Sequence, residues 1–379
     1  MSPGLLLVVH RLLAADEASA ACRNVVPGNP VSCLVGAGPA ASGSTTTGAG
    51  AADPTWSDRA FDLVVPAGWD GRSPLPVILA LHGGGGNRRS AERVTCPRGD
   101  VSDPGCLTAV ATAAGFAVVR PNGTAGPLGL RTWNAGGGTD GWQCVSGRAC
   151  ARGVEDLAYL DEVRATVAGI LPVEGWYATG LSNGGAMSYR LACARAGVFR
   201  GIASLGAGNQ SAAFPGCTPT APVAVLDFHG TSDACWGYET GTAACAQRDG
   251  GKKVGARTTL EGGDGLTGWA SHLGCARAVD GVFVTERVRL PDASGDGLWS
   301  EEVRYQGCAA PLVHVVTHGG GHTVPGGYAY RDVAGVVTMD FLASERIVGF
   351  FTSLRAGVDG GKGALEPAGR EGGPNGSWP

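Results

Sequence analysis

Gly180-Leu181-Ser182-Asn183-Gly184 is the stretch on which the reading of this chain turns. It follows a strand-like run, Trp176-Tyr177-Ala178-Thr179, and opens a helical run, Ala186-Met187-Ser188-Tyr189-Arg190-Leu191-Ala192. A serine at such a strand-to-helix turn sits on a tight backbone, and glycines two residues to either side keep the flanking chains from clashing. The helix N-terminus then helps stabilise negative charge developing beside the serine. In a chain with 65 glycines this pentapeptide is a common accident, so its surroundings carry the argument. The plain alternative is a helix cap, a position that serine favours.

Outward from the turn, apolar runs alternate with helical ones. Leu75-Pro76-Val77-Ile78-Leu79-Ala80-Leu81 reads as a strand running into His82-Gly83-Gly84-Gly85-Gly86-Asn87. Residues 107–114 read as a short helix and Phe116-Ala117-Val118-Val119-Arg120-Pro121 as the next strand. Residues 156–171 carry Leu157, Leu160, Val163 and Val167 at helical spacing, with Asp156 as their cap. Ile202-Ala203-Ser204-Leu205, Val223-Ala224-Val225-Leu226-Asp227-Phe228 and Leu312-Val313-His314-Val315-Val316 follow as strands, and residues 336–354 as a closing helix. Continuous apolar strands separated by helices imply an α/β fold with a mostly parallel, doubly wound sheet covered on both faces. Ligands bind such sheets at the carboxyl ends of the strands.

A reactive serine needs a base, a carboxylate to orient the base, and donors for an oxyanion. Asp233 ends His229-Gly230-Thr231-Ser232-Asp233 after one strand, and His322 ends His318-Gly319-Gly320-Gly321-His322 after another. The chain order Ser182, Asp233, His322 is that of the α/β-hydrolase fold. The oxyanion donors would be the amide of Asn183 and those of Gly83, Gly84 and Gly85. Asp227 lies mid-strand. Among the other histidines, His314 alternates within a strand and His272 lies in a helical run. His82 and His229 precede glycine loops, where they are expected to bond backbone. His318 is the one rival to His322.

Four motifs resemble the polyhydroxybutyrate depolymerase and feruloyl esterase group of secreted serine esterases. They are residues 81–87, residues 180–185, His229-Gly230-Thr231-Ser232-Asp233, and Gly319-Gly320-Gly321-His322-Thr323-Val324-Pro325-Gly326. Arg131-Thr132-Trp133-Asn134, Val154-Glu155-Asp156, and Gly268-Trp269-Ala270 with Gly274-Cys275 resemble it too, and the likeness runs from about residue 60 to 355. The resemblance implies a triad of Ser182, Asp233 and His322. It also implies an acyl-enzyme resolved by water, no cofactor, and an ester-bearing polymer or oligomer as substrate. Feruloyl or acetyl esters of plant polysaccharide, or an aliphatic polyester, are the substrates it suggests. The chain departs from the group at Ala234-Cys235-Trp236-Gly237-Tyr238, in an insertion running to about 254, and in an expanded segment 140–150. Trp133, Trp142, Trp236, Tyr238 and Trp269 are candidates to line a binding surface, since aromatic acyl groups and polymer chains stack on rings. Rival readings are a peptidase or acyltransferase on the same triad, and a non-catalytic polymer-binding protein on a hydrolase scaffold.

Bulk properties narrow the class. The 379 residues are 44% hydrophobic with mean hydropathy +0.06, enough for a substantial core. A net charge of −4 gives no reason to expect nucleic acid, and no run is long enough to span a bilayer. A monomer is expected. Twelve cysteines argue for an oxidising compartment and fall into sequential pairs: Cys22/Cys33, Cys96/Cys106, Cys144/Cys150, Cys193/Cys217, Cys235/Cys245 and Cys275/Cys308. No C-x-x-C pair occurs, and glycines separate His318 from His322, so no metal site is expected.

Residues 1–52 read as a lead. It holds an apolar run, Leu5-Leu6-Leu7-Val8-Val9, and a candidate cleavage site at Ala18-Ser19-Ala20, interrupted by His10, Arg11, Asp16 and Glu17. A Gly/Ala/Ser/Thr linker follows. The catalytic domain is expected over 53–356 and a disordered tail over 357–379.

Overall fold

The computed structural model describes residues 22, 25–35, 56, 59–136, 148–209, 217, 219–238, 266–330 and 334–356. Ten strands form one sheet: β1 (Val31–Leu34), β2 (Ala60–Val64), β3 (Leu75–Leu81), β4 (Ala117–Pro121), β7 (Val173–Leu181), β8 (Phe199–Leu205), β9 (Ala224–Gly230), β10 (Thr285–Arg289), β11 (Trp299–Tyr305) and β12 (Leu312–His318). Two short strands, β5 (Thr124–Ala125) and β6 (Arg131–Thr132), pair with each other. The main sheet runs β1-β2-β4-β3-β7-β8-β9-β12-β11-β10. Its centre, from β4 to β12, is parallel, and both flanks are antiparallel. This is the α/β-hydrolase arrangement, with Ser182 directly after the central strand β7.

The apolar runs form the central strands because those strands are buried on both faces. Every residue of β3 is buried, and its side chains part by the period of two. Val77 and Leu79 join one core with Tyr159, Val163 and Leu191, from helices α3 (Asp156–Ala168) and α4 (Asn183–Ala194). Ile78 and Ala80 join the other with Leu107, Ala111, Ile347 and Phe351, from α2 (Leu107–Ala113) and α6 (Ala343–Ala356). Helix α1 (Arg88–Arg93) follows the glycine loop, capped by Asn87, and α5 (Leu266–His272) precedes the β10 edge.

The expected mostly parallel sheet is borne out, with antiparallel neighbours only at its flanks. Strand β10, Thr-Glu-Arg-Val-Arg, is mostly exposed and shows no apolar run. Two other expectations are corrected. Residues 31–34, assigned to the lead, form the edge strand β1, with only Cys33 buried. The closing helix starts at Ala343 rather than 336, because the preceding segment is taken up elsewhere. The carbonyls of Ala334, Val336 and Thr338 accept from the amides of His322, Gly321 and Gly326.

Disulfides join Cys22 to Cys33, Cys96 to Cys106, Cys193 to Cys217 and Cys275 to Cys308. Cys150 and Cys235 are also disulfide-bonded, while the partners assigned to them, Cys144 and Cys245, lie outside the described residues. So do the apolar run 5–9, the candidate cleavage site 18–20, most of the linker and the tail from 357. No helix among the described residues is long and apolar enough to cross a membrane.

Candidate active site

Ser182 has φ 58° and ψ −121°, a left-handed conformation that costs a residue with a Cβ on the order of 1–3 kcal/mol. The strain is held from all sides. The Ser182 amide donates to Leu205 O at 2.8 Å, and its carbonyl accepts from Ala186 N at 2.9 Å. A Cβ on Gly180 would lie 2.6 Å from Leu81 O, and one on Gly184 2.7 Å from His82 O, so both positions need glycine. The side chain of Ser182 makes no capping hydrogen bond, so it does not act as an ordinary helix cap.

Asp233 and His322 sit on adjoining loops that are laced together. Thr231 N donates to Thr317 O, Ser232 N to Gly320 O, and Gly319 N to the Thr231 hydroxyl. Gly230 needs its missing side chain, because a Cβ there would strike the Gly320 backbone. His322 Nδ1 lies 2.7 Å from Asp233 Oδ2, and both residues are buried. Nδ1 therefore carries the proton, which leaves Nε2 as the free lone pair. Asp233 Oδ1 accepts from Cys235 N and Trp236 N at 2.8 and 2.7 Å. Burial alone would raise the Asp233 carboxyl. Hydrogen bonds from His229 and His322 outweigh it and hold the group far below the usual carboxylate range. Gly206 follows the residue that accepts the Ser182 amide, and it abuts the pair. A Cβ there would lie 3.0 Å from His322 Nδ1 and 3.2 Å from Asp233 Oδ2, at φ +53°. The serine turn and the His–Asp pair thus meet across residues 205–206, a contact that sequence spacing did not reveal.

The glycine loop lies against the serine, since a Cβ on Gly83 would be 3.6 Å from Ser182 Cβ. Buried His82 anchors that loop. Its Nε2 accepts from Gly123 N at 2.8 Å, so its Nδ1 carries the hydrogen and donates to Gly83 O at 2.8 Å. Burial pushes His82 down to about 4, against the Gly83 hydrogen bond and helped by the charges of Arg59 and Arg131, so the ring is neutral at pH 7. Gly85 is removed from the oxyanion candidates, because its amide donates to Arg131 O at 2.8 Å. Gly83, Gly84 and Asn183 remain. The Asn183 side chain is clamped on the backbone of Trp133, accepting from its N at 2.6 Å and donating to its O at 3.0 Å.

The aromatic candidates fare unequally. Trp133 is fully buried, with its Nε1 donating to His82 O at 2.9 Å, so it braces the loop instead of lining a surface. Trp236 and Trp269 are likewise buried. Tyr238 stacks on His314 with centroids 5.8 Å apart. Trp142 lies outside the described residues, as do most of the expanded segment 140–150 and residues 239–265. Sequence reasoning named the glycine loop and Ser182 but missed Arg93, Tyr328 and Tyr330, which line the same cleft. A cavity of about 290 Å³ opens between residues 83–86, Ser182, Arg93, Tyr328 and Tyr330. Tyr330 OH also donates to His322 O at 3.2 Å. Their signal was two tyrosines directly after the loop 319–326.

His318, the rival histidine, stacks on Trp299 at 3.6 Å and faces Glu301 Oε1 at 3.1 Å. His314 pairs with Asp227, and His272 ends α5. Two groups of ligand-type atoms converge among the described residues, Glu92/Cys96/Cys106 and Asp233/Cys235/His322. Their sulfurs are all in disulfides, so neither group offers the thiolate a metal would need.

No protein-family model matches the chain. It is 30% identical over 229 residues to a probable feruloyl esterase C of Aspergillus oryzae, spanning 59% of this chain and 73% of that protein. It is 35% identical over 178 residues to feruloyl esterase C of Emericella nidulans, spanning 46% and 55%. It is 28% identical over 287 residues to the putative esterase NocK of Nocardia uniformis, spanning 73% of each.

Proposed function

The chain belongs to the feruloyl esterase C family and is a carboxylic ester hydrolase, and on that premise we propose that Ser182, His322 and Asp233 are its catalytic triad. The observation that carries the proposal is the 2.7 Å bond from His322 Nδ1 to Asp233 Oδ2 beside a serine strained into φ 58°. Ser182 Oγ attacks the ester carbonyl, and His322 Nε2 takes its proton and passes it to the leaving alcohol. Asp233 holds the tautomer and stabilises the imidazolium. The amides of Asn183 and of Gly83 or Gly84 receive the oxyanion, and water resolves the acyl-enzyme.

The proposed substrates are feruloyl esters of plant polysaccharide. The names of the relatives support this, and so does a cleft with two tyrosines beside the serine. At about 290 Å³ the cleft sits at the low end of small-molecule sites, suited to an acyl group with the polymer left outside. An extracellular site of action fits the disulfides.

The test is release from methyl ferulate, feruloylated arabinoxylan, acetylated xylan and a polyhydroxybutyrate film, each run with and without the Ser182→Ala change. Serine-dependent ferulate release supports the reading, and serine-dependent release from the polyester film alone overturns the substrate. A second expectation concerns Gly206. The Gly206→Ala methyl must displace the His322–Asp233 pair, so kcat falls about 100-fold with KM nearly constant. Wild-type kcat in that variant would contradict the geometry.

A further inference from the structure

Asp233 carries two histidines, and the proposed triad uses only one. His229 is buried near the end of β9. Its Nε2 lies 2.7 Å from Trp236 O and 3.4 Å from Asp233 Oδ2. Both are acceptors, so Nε2 must bear a hydrogen, which it gives to Trp236 O while the ring edge lies against Asp233 Oδ2. Among the described residues His229 Nδ1 has no hydrogen-bond partner, so the polar contacts of this ring among them run through Nε2. The bend from Asp233 to Trp236 is therefore closed twice. Its carboxylate takes the amides of Cys235 and Trp236, and its last carbonyl takes the His229 N–H.

We infer that His229 is a positioning residue for ester hydrolysis, fixing the Asp233 carboxylate against His322 and drawing charge from it. This rests on the triad proposed above. Oδ2 faces a strong donor, His322 at 2.7 Å, and the edge of the His229 ring at 3.4 Å. The second ring weakens the pull of the carboxylate on a proton at His322. The charged and titratable groups around His229 are Asp227 on its own strand, Asp233 and Tyr238 after it, His314 on β12 and His322 across the carboxylate. Burial opposes a proton on His229. The hydrogen bond to Asp233 and the charges of Asp227 and Asp233 outweigh it, lifting the group to about 9. The donor therefore persists across the range in which His322 must be neutral to act as base.

The experiment compares His229→Phe and His229→Gln with Asp233→Asn in the full chain. Each variant is assayed on p-nitrophenyl acetate from about pH 4 to about pH 9, with melting curves alongside. In His229→Phe, kcat should fall roughly 10- to 100-fold with KM within about twofold, and the acid limb of kcat/KM should move up by about half a pH unit. Glutamine places an amide N–H near the position of Nε2 and should recover most of both effects. His229→Asn, too short to reach, is read by the same criteria if the phenylalanine variant does not fold. An unmoved acid limb in a folded variant that lacks the donor overturns the inference, as does a kcat loss that tracks melting temperature and is not rescued by glutamine. If that outcome comes with an inactive Asp233→Asn, the triad stands and only the role of His229 falls. A fully active Asp233→Asn removes the triad and this inference together.

Discussion

Ser182→Ala lowers turnover of any ester this protein hydrolyses by roughly 10⁵-fold or more, while its melting temperature stays at the wild-type value. The size follows from the division of labour. Without Oγ no acyl-enzyme forms, and only the oxyanion amides and substrate binding remain to assist water. Stability is unaffected because alanine keeps the Cβ that already makes φ 58° unfavourable, and the serine side chain makes no capping bond to lose. The Ser182 amide and carbonyl bonds to Leu205 and Ala186 are backbone bonds and survive the change. The measurement is the steady-state kcat on p-nitrophenyl acetate and methyl ferulate, with thermal melts of both proteins. A residual rate within tenfold of wild type would mean that another nucleophile does the chemistry.

What could be read from the sequence depended on which surfaces each residue meets. Strands β3, β7, β8, β9 and β12 are buried for most of their length, and burial on both faces writes itself as an apolar run. Strands β10 and β11 flank the sheet, where exposed Arg287 pairs with Glu301 across the two strands, and polar residues there leave no pattern to detect. Ser182, Asp233 and His322 were legible as candidates because each ends a motif at a strand's carboxyl end. Gly206, Tyr328 and Tyr330 were not, because what matters about them is nearness created by the fold: one glycine against His322, and two rings across the cleft from the glycine loop. Trp133 illustrates the opposite error. A tryptophan beside a motif looks like a ligand platform, yet this one is buried, with its backbone gripping Asn183 and its indole bonded to His82 O.

Asp156→Ala costs about 3–5 kcal/mol of stability, far more than loss of the helix cap that its place in the sequence suggests. Glu155, not Asp156, occupies the cap position of α3. Asp156 is fully buried and lies 2.6 Å from the guanidinium of equally buried Arg59. Its oxygens also accept from the Thr124 hydroxyl at 3.1 Å and from Asn134 N at 2.5 Å. Arg59 lies 3.5 Å over the ring of Tyr159 and 5.6 Å from that of Trp133, and its Nε donates to Asn122 O. Removing the carboxylate strands a buried cation among aromatic rings and frees the Asn134 amide beside the tryptophan that holds Asn183. The expected result in urea is a fall in the unfolding midpoint at unchanged slope, with a smaller loss of kcat through Asn183. Arg59→Met combined with Asp156→Ala should recover much of the lost stability, because a pair removed together leaves no buried charge. If the single variant loses less than about 1 kcal/mol, or the double variant is no better than the single, the buried pair is not what ties the start of β2 to the segment that holds Asn183.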